Sequence, residues 1–259
     1  MLIYIHTAGR PERQTTFKSF TPALMERTRL VVQAHEYKEY IRPGYPTLMV
    51  LPKNITKLSP TRQWILENAE TNKLVMMDDD LTFSYRKLAS GVKLLKGNSE
   101  SIERMFNVLE LTLNDYVHAG ISAREGNNRI ETPSKDVGRM MRLLAYDREK
   151  VLSSGCRFDR LETKQDFDLT LQLLRKGMPN RVWYDYAHNQ PGSNNAGGCS
   201  VYRTQEVMNR CAHELEGLHP DYVTVVDKTT KTSWGGGTRT DVRIAWKKAY
   251  ESYTQQKCK

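Results

Sequence analysis

Long apolar runs are missing from this chain. Stretches such as Leu48–Leu51 and Leu74–Met77 fall far short of the ~20 residues a membrane span requires. Cysteine is scarce as well. The four cysteines, at 156, 199, 211 and 258, form no C-x-x-C pair. That argues against zinc ribbons, disulfide scaffolds and secretion, and makes a reducing cytoplasm the expected compartment. The opening Met1–His6 reads as a short strand without a basic n-region or a full h-region, so no signal peptide is expected. Repeats and low-complexity blocks are absent.

What remains is the composition of a folded protein. Of 259 residues, 39% are hydrophobic and 27% charged. A real core is available, in one large domain or two small ones, and wholesale disorder is excluded. Lysine and arginine number 39 against 30 acidic residues, a net charge of +9. Such a balance suits a polyanionic partner, and it equally serves plain solubility.

Early in the chain, short strands alternate with helical stretches. Leu2–His6 reads as a strand ending in the turn Thr7-Ala8-Gly9-Arg10-Pro11. A helix is expected over Thr16–Arg27, a strand over Thr28–Ala34, a short helix over His35–Tyr40 and a strand over Thr47–Leu51. Ser59-Pro60 suits a helix start, with Ser as N-cap and Pro at the first position, and the helix continues to about Ala69. Leu74–Met77 is the fourth strand. A strong helix follows from Ser99, with Ile102, Met105, Phe106, Leu109 and Leu113 at 3–4 spacing. Later come a strand at Leu143–Tyr146, a helix Asp166–Lys176 closed by Gly177, a strand Arg181–Tyr186 and a helix Glu206–Glu216. The tail carries a strand Tyr222–Val226, a Gly-rich loop at 234–238 and a final helix over 241–254. Strand–helix alternation over the first 80 residues implies a parallel, crossover-connected α/β sheet, and such sheets bind ligands beyond the C-terminal strand ends.

Two strand ends are loaded, Thr7–Pro11 and Asp78-Asp79-Asp80. In extended backbone, residues i and i+2 face one side. Asp78 and Asp80 should therefore converge and Asp79 point away. Two convergent carboxylates suit a hard divalent cation, Mg²⁺ or Mn²⁺, bridging a diphosphate. The plain alternative is a solvated acidic turn. His188, after a strand and before a polar loop, could add a neutral imidazole ligand, although a lone histidine is usually an ordinary surface or core residue. Asp166 and Asp168 lie near a helix start, where the dipole favours carboxylates in any case. One of them could instead serve as a general base toward a hydroxyl nucleophile. Arg10, Arg13 and Arg62 are candidates for phosphate contacts. The loop at 234–239 could be a lid or a plain linker. The tail interleaves Lys228, Lys231, Arg239, Arg243, Lys247 and Lys248 with Trp234, Trp246, Tyr250 and Tyr253. That mixture suits a nucleic-acid surface, or an amphipathic helix docking by its aromatics.

Taken in order over roughly residues 2–200, these elements resemble a GT-A glycosyltransferase: the first strand and its turn, the Pro-started helix, Asp78-Asp79-Asp80, Glu162…Asp166-Phe167-Asp168-Leu169 and the late His188. The tail is similar to that of phage glycosyltransferases associated with TET-type dioxygenases, through His219-Pro220-Asp221-Tyr222-Val223, Lys231-Thr232-Ser233-Trp234-Gly235-Gly236 and Arg239–Tyr250. The resemblance implies a GT-A-like (Rossmann-like) mixed, mostly parallel sheet flanked by helices over 1–200. A C-terminal extension over 201–259 would pack on it. It implies transfer of a sugar from a nucleotide-sugar, a UDP-sugar by expectation, to 5-hydroxymethylcytosine in DNA. Asp78, Asp80 and His188 would hold Mn²⁺ or Mg²⁺, and Asp166 would act as base. Thr7, Gly9, Arg10, Arg62 and Asp79 would bind the donor. Lys231, Arg239, Arg243, Lys247 and Lys248 would meet DNA. Three other readings stay open: a GT-A enzyme acting on a saccharide or small molecule, a nucleotidyltransferase, and a non-catalytic DNA-binding module.

Overall fold

The computed structural model describes residues 1–87, 91–190, 198–230 and 237–257, without the side chains of 199, 200, 230, 237–239, 256 and 257. The first half runs β1 (Leu2–His6), α1 (Pro22–Glu26), β2 (Thr28–Val32), β3 (Thr47–Val50), α2 (Leu58–Asn68), β4 (Lys73–Asp78), β5 (Thr82–Arg86), β6 (Leu94–Lys96) and α3 (Ser99–Thr112). The second half runs β7 (His118–Ala123), β8 (Ser134–Asp136), β9 (Leu143–Asp147), α4 (Arg148–Ser153), α5 (Gln165–Leu174), β10 (Asn180–Asn189), α6 (Gln205–Leu218), β11 (Val223–Thr230), β12 (Gly237–Ile244) and α7 (Trp246–Lys257).

Among the described residues, ten strands form one sheet in the order β3-β2-β1-β4-β9-β7-β10-β5-β6, with β8 paired to β10. The first four positions are parallel, as the alternation implies. β9 then enters antiparallel to both β4 and β7, and β7 and β10 run parallel. The fold is thus mixed α/β with helices on both faces. Residue alternation sorts the core accordingly. Ile3, Ile5, Val75 and Met77 face α3 through Ile102, Met105, Phe106 and Leu109. Tyr4, Leu74, Met76 and Leu144 face α2 and α5 through Ile65, Leu66, Leu169 and Leu173. No helix among the described residues is long and apolar enough to cross a membrane. Cys156 and Cys211 are buried free thiols.

Several expected elements differ. The span Thr16–Arg27 is not one helix: a 3-10 turn covers Thr16–Ser19, Phe20 is extended, and α1 begins at Pro22. Pro22 forces its predecessor out of helical dihedrals, and Thr21 then caps α1 through its hydroxyl, which accepts the Leu24 N–H at 3.2 Å. α2 starts one residue before Ser59, capped by Lys57 without a side-chain bond, while the Ser59 hydroxyl donates to Phe158 O at 2.9 Å. Pro60 still costs nothing there, because the first four N–H groups of a helix have no internal partner. The final helix is shorter than 241–254, since Asp241–Ile244 belong to β12. Of the Gly-rich loop, 234–236 lie outside the described residues, and Gly237 and Thr238 open β12.

The tail packs against the body through a third apolar cluster. Leu161, Phe167, Leu171 and Leu174 meet Leu215, Val223 and Ala249, with Trp246 and Tyr250 alongside. Trp246 stands edge-on to Phe167 at 5.7 Å between ring centroids. These tail aromatics are therefore packing residues and not free stacking platforms.

Candidate active site

A cavity of about 350 Å³ opens at the C-terminal ends of β1 and β4, where an open α/β sheet holds its ligands. Its walls come from the β1 turn, the acidic turn after β4, α2, the segment before β9, the start of α5, α6 and β12.

The acidic turn is fastened before any ligand is considered. β4 ends at Asp78, and the chain then turns, held by Thr16: its hydroxyl donates to Asp78 O at 2.7 Å and accepts the Leu81 N–H at 2.9 Å. Strand alternation therefore stops at Asp78, and the expected outward orientation of Asp79 is not found. All three aspartates line the cavity. Asp78 Oδ1 accepts from His6 Nε2 at 3.0 Å and Arg62 Nη2 at 3.2 Å. Asp79 accepts from the Thr7 hydroxyl at 2.5 Å and from Arg10 Nη1 at 2.9 Å. The same Arg10 nitrogen reaches Asp80 at 3.1 Å, and Gln190 Nε2 lies 2.8 and 2.9 Å from the two Asp80 oxygens. Burial works to raise the Asp78 pKa, but His6, Arg62 and Arg142 together outweigh it and hold the group well below the usual carboxylate range. Asp80 is pushed the other way, by burial and by the neighbouring Asp78 and Asp79, against Gln190 and Arg10. Burial also raises Tyr40 to about 12, and its oxygen accepts the Arg10 N–H at 3.0 Å.

Of the expected donor contacts, Thr7, Arg10, Arg62 and Asp79 line the cavity. Gly9 does not. Its N–H donates to Glu36 at 2.7 Å and its φ of +64° lets the turn close, so its part is structural. The two acids of α5 separate cleanly. Asp166 lines the cavity, and its Oδ1 accepts the Phe167 N–H at 3.0 Å. Asp168 is fully buried away from it, bound to His219 Nε2 at 2.8 Å, Gln172 Nε2 at 2.9 Å and Arg160 Nε at 3.3 Å.

Asp78, Asp80 and His188 are not gathered into one coordination sphere. Among the described residues, no three His, Cys, Asp or Glu side chains are placed together to hold a metal ion. His188 is fully buried and does not line the cavity. Its chemistry nevertheless fits a ligand. Both ring nitrogens are buried without a hydrogen-bond partner. Burial and Arg142 depress its pKa to about 3 against the pulls of Asp78 and the Met141 backbone, so the ring stays neutral. A small hard cation arriving with a diphosphate needs only one or two protein carboxylates. The two cavity carboxylates, Asp78 and Asp80, are thus suited to such a cation, while the enclosed His188 is not placed beside them.

Sequence reasoning passed over His6, Arg139 and Arg142, all of which line the cavity. No short motif marks them; the available signal was two arginines flanking Met140-Met141 just before an apolar strand. In the tail, Lys231 lies outside the described residues, as does the side chain of Arg239. Arg243 and Lys247 are exposed. Lys248 is engaged, donating to Asp221 O at 3.0 Å and lying 5.9 Å above the Tyr222 ring.

A search of curated proteins gave no match. Among solved structures, S. aureus TarS 1–349 in complex with UDP-GlcNAc is 15% identical, with a TM-score of 0.51, covering 83% of this chain and 67% of that one. The same protein without ligand is 13% identical and TM-score 0.45, and this chain spans 66% of it. Glucosyl-3-phosphoglycerate synthase from Mycobacterium tuberculosis, in complex with Mn²⁺, UDP and phosphoglyceric acid, is 13% identical with TM-score 0.49, covering 95% and 89% of the two chains. At such identities the TarS complex speaks for the fold alone. The family is shown by a sequence match: the family model described as TET-Associated Glycosyltransferase covers residues 1–198. The chain belongs to the TET-associated glycosyltransferase family.

Proposed function

We propose that this protein moves a sugar from a nucleotide-sugar, a UDP-sugar, to the hydroxymethyl group of 5-hydroxymethylcytosine in DNA. The observation that carries the reading is a single cavity joining the acidic turn, its cations and the Asp166 carboxylate. Asp166 takes the proton of the acceptor hydroxyl as that oxygen bonds to the sugar's anomeric carbon. The bond from that carbon to the diphosphate breaks, and its electron pair leaves with the diphosphate. Thr7, Arg10, Arg62 and Asp79 hold the donor. Asp80 and Asp78, which line the cavity, would hold Mn²⁺ or Mg²⁺, whose charge would offset that of the diphosphate, and His188 would join them only on reaching the cavity. The C5 substituent of cytosine lies in the major groove, so the acceptor is met there or flipped out of the stack.

The direct test is incubation with hydroxymethylcytosine DNA and a panel of nucleotide-sugars, followed by mass analysis of the nucleosides. A hexose-sized mass gain on hydroxymethylcytosine alone is expected. Transfer to saccharides but not to DNA would overturn the acceptor. EDTA-treated enzyme should lose this activity and regain it with Mn²⁺, whereas full activity after EDTA would remove the metal from the reading.

The tail supports a DNA acceptor by its charge. Val223, Val242 and Ile244 pack toward the body, so strand alternation turns Asp241 and Arg243 to the opposite face of the hairpin. Asp241 reaches the cavity wall. Neutralising Arg243 and Lys247 should weaken binding to modified and unmodified duplexes alike, because phosphate contacts carry no sequence information. The slope of log affinity against log salt should flatten by about 1.8, two phosphates at ~0.9 each. An unchanged slope would leave the tail a packing element only.

A further inference from the structure

We propose that Arg142, with Arg62 beside it, is the clamp for the donor's diphosphate, an assignment that rests on the nucleotide-sugar reading above. Arg142 sits just before β9, directly across the antiparallel ladder from Asp78, whose N–H donates to Arg142 O at 3.1 Å. Its backbone is held in the left-handed region, φ +65°. A branched-free but bulky side chain is disfavoured there, and such conformations persist where surrounding structure enforces them. The enforced turn delivers the guanidinium to the cavity wall. There its Nη1 is buried with no hydrogen-bond partner, and no ion pair within 4 Å engages it among the described residues, although its charge acts on Asp78 from further off.

Arg62 presents the same incomplete state from α2. It is buried, its Nη2 is spent on Asp78 at 3.2 Å, and its Nε has no partner. Donors on two cations withdrawn from water and left unpaired are costly. The cost is recovered when an anion with several oxygens arrives. The neighbouring acidic turn leaves these donors unmet, since Asp78 is bonded by His6 and Arg62 Nη2 and feels Arg142 only as nearby charge, while Asp79 and Asp80 share Arg10. A diphosphate fits: guanidinium forks match phosphate oxygens in pairs, and the charge on the leaving oxygen grows as the anomeric bond breaks.

The test uses Arg142→Gly, with Arg142→Lys as a milder variant, on the full chain. Glycine accepts the left-handed backbone without strain, so the fold should melt no lower than wild type. Affinity for UDP should fall about 10- to 100-fold, the loss of hydrogen bonds to a charged group. Lysine, keeping charge but not the fork, should fall between. Binding of uridine, which lacks the diphosphate, should be unchanged by NMR titration. UDP bound equally by wild type and Arg142→Gly would overturn the assignment while leaving the donor reading intact. So would a parallel loss of UDP, uridine and melting temperature, which would make Arg142 structural. Should wild type bind none of UDP, GDP, CDP, ADP and dTDP, the donor reading itself falls, and the clamp with it.

Discussion

Asp166→Asn should slow the chemical step by ~10²–10⁴-fold, the range for loss of a positioned general base. Asparagine keeps the acceptor oxygen that receives the Phe167 N–H, so the first turn of α5 should be undisturbed. Donor affinity should therefore stay within a small factor of wild type, and the melting temperature should not move. Single-turnover rates with saturating donor separate these quantities. An equal loss of donor affinity would mark Asp166 as a binding residue instead.

Two positions further along the same helix, the expected outcome reverses. Asp168→Ala should destabilise the fold by about 3–5 kcal/mol, the cost of breaking a buried ionic network from one side. Arg175 Nη1 donates to His219 Nδ1 at 3.1 Å, which fixes the imidazole so that Nε2–H donates to Asp168. Gln172 and Arg160 complete the shell. Without the carboxylate, a fully buried imidazole N–H and a buried amide lose their acceptor together. The urea midpoint at pH 7 reads this directly. A shift equivalent to less than about 1 kcal/mol would mean that water or a rearranged side chain takes the place of Asp168.

The contrast between these neighbours shows where a sequence stops being legible. Residue type and position make both acids at the α5 start candidates. Which one reaches the cavity depends on the helical face that meets it, and that face is set by what docks on the other side, here Cys156, Phe158 and the tail. The parallel strands β1, β2 and β4 were readable because both their faces meet the core, giving unbroken runs such as Leu74–Met77. β7, His118-Ala-Gly-Ile-Ser-Ala, carries almost no strand signal. Its Gly120 is there because a Cβ would lie 3.1 Å from both Leu143 O and Met140 Sδ, a requirement of tertiary packing. β5 and β6 are short; β5 draws its order from β10, far along the chain, and β6 from β5 beside it.

The candidate site divides in the same way. The acidic turn, Arg10, Arg62 and Asp166 announce themselves by lying at strand and helix ends. The expected divergence of Asp79 fails because the strand ends one residue earlier than alternation requires, and Thr16, more than sixty positions away in sequence, holds the turn that follows. Arg142 was illegible for a related reason. Its partner across the ladder is Asp78, and an antiparallel β9 beside β4 cannot be inferred from an alternation that reads as parallel.

The docking of the tail bears on how this protein can change over generations. Tyr253 of α7 lies over Gly177, where an added Cβ would fall 2.2 Å from the ring. His219 supplies one bond of the Asp168 network, and Phe167 and Leu171 are covered only in company with Leu215 and Ala249. Residues 201–259 thus cannot be recombined freely onto another member's 1–200 segment. A graft would succeed only if Gly177, Asp168 and the apolar face of α5 were inherited with it. On the function proposed above, in which the tail meets the acceptor and α5 carries the base, the two should descend as one linked unit, so that hybrids between relatives lose folding before they gain a new acceptor.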